Sequence, residues 1–147
     1  MTKKTYNYNW KEFDSDCIRL VKKVRRYRPK TIVALARGGL PLGVKLSHLL
    51  KKQLMIISVK SYNEKKKLTN TVMLNSSYTS PLQSPVLIVD ECVDSGTTLK
   101  IVADHFKALG VEVKTAVLVY KNQSTIKPDY FIKEIHNETW TVFPWEE

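Results

Sequence analysis

The stretch Val86–Leu99 constrains this 147-residue chain more than any other part of it. It begins with four apolar residues, Val86–Val89, a run that is typical of a strand buried on both faces. Two adjacent acids, Asp90 and Glu91, follow at the predicted carboxyl end of that strand. The small polar residues Asp94–Thr98 then open a predicted helix, where hydroxyls and backbone N–H groups favour anions. An acid pair beside such a cradle predicts a site for a sugar phosphate.

A capped helix without any ligand is the simpler interpretation of this turn, because Ser95 or Thr97 would cap a helix in either case. That interpretation leaves the acid pair unexplained. Neighbouring carboxylates such as Asp90 and Glu91 repel each other unless a cation or a hydrogen-bond donor lies close to them.

Strands and helices alternate along the chain. Helices are predicted at about 10–27, 40–52 and 97–109, and strands at 31–35, 54–59, 86–89, 112–120 and, more briefly, 130–132. This alternation indicates an α/β fold with a mainly parallel central sheet flanked by helices. Ligands bind such sheets beyond the carboxyl ends of the strands, where the loop 36–39, the segment 90–98 and Lys121 all fall.

Composition limits the class of protein. With 43% hydrophobic residues the chain can build one core, and we expect a single domain over residues 1–147. No apolar run approaches the length of a membrane span, and Met1–Lys4 lacks the apolar core of a signal peptide. The two cysteines, Cys17 and Cys92, show no metal-binding spacing. Free thiols in a reducing cytoplasm are the expected state.

The net charge of +10 is unevenly distributed, since residues 1–67 hold 18 Lys or Arg against 4 Asp or Glu. A basic half raises the question of nucleic acid, but no known DNA- or RNA-binding motif accompanies it. A solvated lysine-rich surface is one alternative. A field that attracts a small polyanionic substrate fits better.

The residue order at 86–99 resembles the PRPP-binding signature of the type I phosphoribosyltransferases. PRPP is 5-phosphoribosyl-1-pyrophosphate. The resemblance implies that Asp90 and Glu91 hold the ribose hydroxyls and Mg²⁺, and that Asp94 is the general base near N7 of the acceptor base. It implies that the 5′-phosphate is held by Asp94, Ser95, Gly96, Thr97 and Thr98.

The loop Ala36–Leu40 follows one strand and precedes the next helix. By the same resemblance Arg37, Gly38 and Gly39 bind pyrophosphate, often through a cis peptide bond in this family. The family also carries a mobile lid, which would correspond to residues of about 61–84 and would exclude water when closed.

The C-terminal segment 121–147 looks like that of the bacterial xanthine-guanine phosphoribosyltransferases. The resemblance implies that Lys121 donates to the 6-oxo group of a purine and that Trp140 stacks on the base, with Thr141 beside it. Core packing is the preferred interpretation of Trp145. Two departures from the family pattern are Glu91, where Asp is commoner, and Thr141, where an apolar residue is usual.

The function implied is transfer of the 5-phosphoribosyl group from PRPP to a 6-oxopurine (xanthine, guanine or hypoxanthine), which gives a nucleoside 5′-monophosphate and pyrophosphate in purine salvage. Two alternatives stay open: a PRPP-sensing regulatory protein that binds nucleic acid without catalysis, and a phosphoribosyltransferase for another base. Relatives form dimers or tetramers, so a homo-oligomer is expected.

Overall fold

The computed structural model describes residues 3–60, 72–76 and 82–146. Its α-helices span Trp10–Val24 (α1), Leu40–Leu50 (α2) and Thr97–Ala108 (α3). Its strands span Lys4–Asn7 (β1), Thr31–Ala36 (β2), Gln53–Lys60 (β3), Val72–Ser76 (β4), Val86–Val93 (β5), Val113–Lys121 (β6), Tyr130–Ile135 (β7) and Thr139–Val142 (β8).

The main sheet confirms the predicted α/β class. Its strand order is β4-β3-β2-β5-β6-β7, and every neighbouring pair is parallel except β3 with β4. Alternate strand residues pack on opposite sides, so that Ile32 and Ala34 belong to the same core cluster as residues of α1 and α2, while Val33 and Leu35 belong to the cluster that contains residues of α3. Helices therefore cover both faces, which explains why β2 and β5 are apolar without alternation.

A second, two-stranded sheet joins the ends of the chain. β1 pairs parallel with β8, and the register sets Lys4 opposite Thr139 and Thr5 opposite Trp140. Behind it, Tyr8 stacks on Phe143 at a ring-centroid distance of 5.3 Å, and Phe143 stacks on Trp145 at 5.0 Å. The C-terminal segment is thus fixed to the domain by aromatic packing, as predicted for Trp145.

Several predicted boundaries were wrong in detail. α1 ends at Val24 and is followed by a 3-10 turn, Arg25–Tyr27, after which Arg28 adopts a left-handed conformation with φ of 54°. Trp10, which recurs at helical spacing with Phe13 and Cys17 and was therefore expected on the apolar face, begins the helix but is 56% exposed. Its ring instead lies edge-on to Phe13 at the domain surface, 5.7 Å between centroids.

The predicted lid falls mostly outside the described residues, which exclude 61–71 and 77–81. Of the segment 69–78, predicted as a hairpin or an extended stretch, the described part is β4, antiparallel to β3. The Ser84–Pro85 peptide bond that precedes β5 is cis.

A buried ionic network ties α1 to the rest of the domain. Asp16 is only 3% exposed and accepts hydrogen bonds from Arg19 Nη1 at 2.9 Å, from the Tyr8 hydroxyl and from Lys133 Nζ of β7. Burial alone would raise the pKa of Asp16, but the bonds from Lys133, Tyr8 and Arg19 outweigh it and hold the pKa below its usual value. The network therefore keeps Asp16 ionised in the interior.

Candidate active site

The carboxyl ends of β2, β5 and β6 meet at one edge of the sheet, and three cavities open along it. We call them the Arg37 cavity, the Ser95 cavity and the Trp140 cavity. Each contains residues that the sequence singled out, so the prediction that this edge carries the chemistry agrees with the geometry.

The Arg37 cavity has a volume of about 490 Å³ and is lined by Arg37, Gly38, Glu91, Trp145 and Glu146. The Ala36–Arg37 peptide bond is cis, as the family resemblance implied. The fold thus brings the glycine loop after β2 and the second acid of β5 to one cavity, although they lie more than 50 positions apart in the sequence.

Neighbouring groups come very close to both glycines of this loop. A Cβ on Gly38 would lie 1.4 Å from Glu91 Oε2, and a Cβ on Gly39 would lie 2.7 Å from the Leu35 carbonyl and 2.9 Å from the Val89 carbonyl. The contacts of Gly39 are with backbone that cannot move aside, whereas Glu91 is a side chain that can. Only glycine fits at position 39 without displacing β2 or β5.

The acid pair lies within β5 rather than after it, which corrects the predicted end of this strand at Val89. Pairing with β6 continues past the acids, from Asp90 opposite Val117 to Val93 opposite Tyr120, so the ladder holds the strand extended. Burial, and then the neighbouring Glu91 carboxylate, raise the pKa of Asp90 well above its usual value.

The donor set of this pair suits a divalent cation. Two carboxylates of adjacent residues offer hard oxygen ligands, and a cation would offset the burial and the nearby Glu91 carboxylate that together raise the pKa of Asp90. Among the described residues no group of three or more His, Cys, Asp or Glu side chains could hold a metal. A magnesium ion bound by Asp90 and Glu91 would therefore complete its shell with oxygens of the substrate and water.

Replacing Asp90 with Asn should stabilise the ligand-free protein at high pH. In the unfolded chain Asp90 ionises near pH 3.8, whereas in the folded protein its pKa is raised. Ionisation of the buried carboxyl therefore lowers the free energy of unfolding as the pH rises through the raised pKa. We expect the melting temperature of Asp90→Asn to exceed that of the wild type by about 3 °C at pH 8. The difference should shrink at pH 4, and thermal unfolding at both pH values measures it.

The substituted asparagine keeps a side-chain oxygen that can accept from the Glu91 N–H, a bond of 2.9 Å in the wild type, so the local backbone is not disturbed by this change. Magnesium should raise the melting temperature of the wild type more than that of the variant. A variant that melts below the wild type at pH 8 would show that the buried carboxylate is not a source of instability.

The Ser95 cavity is the smallest of the three, at about 180 Å³, and is lined by Asp90, Cys92, Val93, Asp94, Ser95, Gly96, Thr98 and Leu99. The residue that caps α3 is Gly96, with φ of 88°, and not Ser95 or Thr97 as predicted. Ser95 Oγ nevertheless accepts from the Thr97 N–H at 3.3 Å. The N-terminus of α3 thus presents hydroxyls and backbone N–H groups towards the cavity, an arrangement that binds phosphate.

A loop after β6 supports this turn from behind. Thr125 donates to the Ser95 carbonyl through both its N–H, at 3.2 Å, and its hydroxyl, at 3.0 Å. A Cβ on Gly96 would lie 2.7 Å from Ser124 Oγ and 3.0 Å from Ile126 Cβ. The position therefore needs glycine both for its positive φ and for the close approach of the loop.

The Trp140 cavity has a volume of about 540 Å³ and is lined by Lys3, Asp94, Lys121, Gln123, Asn137, Glu138, Thr139 and Trp140. Lys121, at the end of β6, is only 7% exposed, and its Nζ lies 3.5 Å from Asp94 Oδ1. The same Nζ lies 5.7 Å from the centre of the Trp140 ring, which is 56% exposed. Three residues predicted from separate parts of the sequence thus meet at one cavity.

The side chain of Thr141 does not line the Trp140 cavity. Side chains alternate along β8, so Thr141 points away from the Trp140 side and is buried, with a hydroxyl that has no hydrogen-bond partner among the described residues. Only the backbone of Thr141 remains available for a base-binding role.

Comparison with known proteins identifies the family. Residues 8–147 match the family model of the phosphoribosyl transferase domain. The chain belongs to the phosphoribosyltransferase family. The resemblance inferred from the residue order at Val86–Leu99 is therefore confirmed, together with the enzyme class that it implied.

Three relatives of this phosphoribosyltransferase are named as purine or xanthine-guanine phosphoribosyltransferases. The chain is 27% identical over 150 residues to a xanthine-guanine phosphoribosyltransferase of Cereibacter sphaeroides, a match that covers 97% of this chain and 87% of that protein. The crystal structure of a purine phosphoribosyltransferase from Pyrococcus horikoshii is 36% identical, with a TM-score of 0.85 over 97% of this chain and 94% of that chain. The xanthine-guanine-hypoxanthine phosphoribosyltransferase of Helicobacter pylori is 27% identical, with the same TM-score and coverage.

Several residues that line the cavities of this phosphoribosyltransferase were not predicted from the sequence. Lys3, Gln123, Asn137 and Glu138 line the Trp140 cavity, and Glu146 lines the Arg37 cavity. No local motif marks them: Lys3 precedes β1 and Glu138 precedes β8, which pair with each other, whereas Gln123 lies just after β6 and Glu146 lies near the C-terminus. Within the described part of the chain, no helix is both long and apolar enough to span a membrane.

Proposed function

We propose that this phosphoribosyltransferase transfers the 5-phosphoribosyl group of PRPP to a 6-oxopurine and releases pyrophosphate and a nucleoside 5′-monophosphate. The observation that carries the proposal is the meeting of Lys121, Asp94 and Trp140 at the Trp140 cavity. These three side chains supply a donor, an acceptor and a flat aromatic surface.

The donor and acceptor suit one edge of a 6-oxopurine. The ammonium group of Lys121 can only donate hydrogen bonds, so it matches a 6-oxo oxygen and not the 6-amino group of adenine. Asp94 Oδ1, 3.5 Å from Lys121 Nζ, can accept a proton from the neighbouring ring nitrogen, N7. The pair therefore matches two adjacent positions on one side of the purine.

Trp140 supplies the third element. Its half-exposed ring offers an open face on which a planar base can stack, an interaction worth about 1–3 kcal/mol per base. The names of the relatives from Pyrococcus horikoshii, Helicobacter pylori and Cereibacter sphaeroides support a purine as the acceptor.

The other two cavities would take the remainder of PRPP. The Arg37 loop offers a guanidinium and close-approaching backbone to pyrophosphate, and the N-terminus of α3 offers donors to the 5′-phosphate. Asp90 and Glu91 would hold the ribose hydroxyls, and a magnesium ion bound there would offset the charge of the leaving pyrophosphate. Positioning and electrostatics would therefore account for most of the rate.

A regulatory protein that senses PRPP without catalysis is the main alternative. Such a protein needs the Arg37 and Ser95 cavities but has no use for a third cavity with a buried lysine and an exposed tryptophan. The Trp140 cavity therefore favours the enzyme. A different acceptor base, such as a pyrimidine, lacks the N7 position that Asp94 would serve.

The proposal is tested by offering the protein PRPP and Mg²⁺ with each of xanthine, guanine, hypoxanthine and adenine, and measuring pyrophosphate release. We expect turnover of at least one 6-oxopurine and little or none of adenine, because adenine places a donor against Lys121. Turnover of adenine alone, or binding of PRPP without turnover of any base, would contradict it.

Magnesium dependence, a homo-oligomeric state and a cytoplasmic location stay predictions for this chain. Large apolar side chains exposed on α1 and α2, among them Ile18 and Val44, favour contact with a second copy. The basic first half is consistent with attraction of the polyanionic PRPP, and the described structure adds no nucleic-acid-binding motif to it.

A further inference from the structure

We propose that Lys3 and Glu138 form a pair of side chains that distinguishes purines by their 2-substituent. The proposal rests on the proposed function, since it concerns the base that the Trp140 cavity would hold. The family resemblance assigned recognition of the base to Lys121, Trp140 and Thr141. It assigned no role to the first residues of the chain.

The register between the two short strands brings this pair together. Lys4 of β1 lies opposite Thr139 of β8, and Lys3 and Glu138 are the residues immediately before these two paired positions. Both line the Trp140 cavity, together with Thr139 and Trp140 of β8.

The charges of the cavity divide into two sets. Lys121 and Asp94 face each other at 3.5 Å and are occupied by the proposed contacts with the 6-oxo and N7 positions. Lys3 and Glu138 are the other charged side chains of the lining, and among the described residues neither forms an ion pair. They are therefore available to bind a part of the base other than the 6-oxo and N7 positions, which Lys121 and Asp94 would contact.

The chemistry of the 2-position assigns one role to each side chain. Guanine carries a 2-amino donor, which a carboxylate such as Glu138 accepts, whereas xanthine carries a 2-oxo acceptor, to which an ammonium such as Lys3 donates. Hypoxanthine has only hydrogen there and uses neither. A single cavity with both groups can thus bind guanine and xanthine, each through one charge-assisted hydrogen bond.

The test measures kcat/KM for xanthine, guanine and hypoxanthine in the wild type and in two variants, Lys3→Met and Glu138→Gln. We expect Lys3→Met to lower the xanthine-to-hypoxanthine ratio about tenfold, and Glu138→Gln to lower the guanine-to-hypoxanthine ratio by a similar factor, as one charge-assisted bond supplies. Lys3→Met should leave the guanine-to-hypoxanthine ratio, and Glu138→Gln the xanthine-to-hypoxanthine ratio, within about twofold of the wild type.

Lys4→Met is the matched control, because Lys4 is the neighbouring exposed lysine and is not part of the cavity lining. Its two ratios should equal those of the wild type. Equal loss for all three bases, or the same change in Lys4→Met, would overturn the role of Lys3 and Glu138 while leaving the proposed function standing. Failure of the wild type to use any of the three bases would instead refute the proposed function.

Discussion

Replacing Asp94 with Asn is expected to lower kcat by about 10²–10⁴-fold, the range that a positioned general base supplies. Asn keeps the size of the side chain and an oxygen near Lys121 Nζ, but it cannot take a proton. Because the side chain is exposed and lies between the Ser95 and Trp140 cavities, its replacement should leave intact the turn that we propose binds phosphate. The Kd for PRPP should therefore change far less than kcat.

Single-turnover kinetics and PRPP titration measure the two effects separately. Asp104→Asn is the matched control, since Asp104 is an exposed acid on α3 that pairs only with Lys100 among the described residues and lies outside all three cavities. It should behave as the wild type in both measurements. Equal losses of kcat and of PRPP affinity in Asp94→Asn would argue that Asp94 binds substrate and does not act as a base.

Replacing Asp16 with Ala is expected to lower the free energy of unfolding by about 3–5 kcal/mol, the cost of breaking a buried ion pair by removing one partner. The change leaves the Tyr8 hydroxyl without its acceptor in a buried space and leaves Lys133 with Glu12, at 3.2 Å, as its remaining ionic partner. Urea denaturation at neutral pH measures the loss as a lower midpoint. Asp16 lies outside the three cavities, so kcat of the folded variant should be close to that of the wild type.

Asp14→Ala provides the control on the same helix, because the Asp14–Lys45 pair is exposed and should contribute at most about 1 kcal/mol. The pH dependence adds a second check. Since the pKa of Asp16 is lowered, its contribution is present above the ordinary value of 3.8 and is lost as the pH falls through the lowered one. If Asp16→Ala is no less stable than Asp14→Ala at pH 7, the network contributes nothing.

The parts of the site that could be predicted are those encoded in contiguous residues. Val86–Val89 indicates a buried strand, and the acids and small polar residues that follow specify the turn after it. The glycine loop could also be predicted because Gly38 and Gly39 are contiguous in the sequence. The structure explains the glycine at position 39, since a loop that approaches β2 and β5 so closely admits no side chain there. Local sequence determines local geometry, and the parallel sheet then places both loops at one edge.

The parts that could not be predicted depend on pairing across the whole chain. Lys3 reaches the Trp140 cavity only because β1 pairs with β8, and a four-residue strand leaves little signal in the sequence. The buried ion pair of Asp16 could not be predicted, because its partner Lys133 lies 117 positions away. In the sequence Asp16 is one of several polar residues of an amphipathic helix. The end of β5 was misplaced because charge predicts a loop, whereas the ladder with β6 holds the acids in the strand.

The structure of this protein with a bound purine nucleoside 5′-monophosphate would show whether the three cavities form one substrate site. We expect the phosphate at the N-terminus of α3, the ribose against Asp90 and Glu91, and the base stacked on Trp140 with its 6-oxo group towards Lys121. A nucleotide whose phosphate lies elsewhere, or whose base avoids the Trp140 cavity, would contradict this expectation.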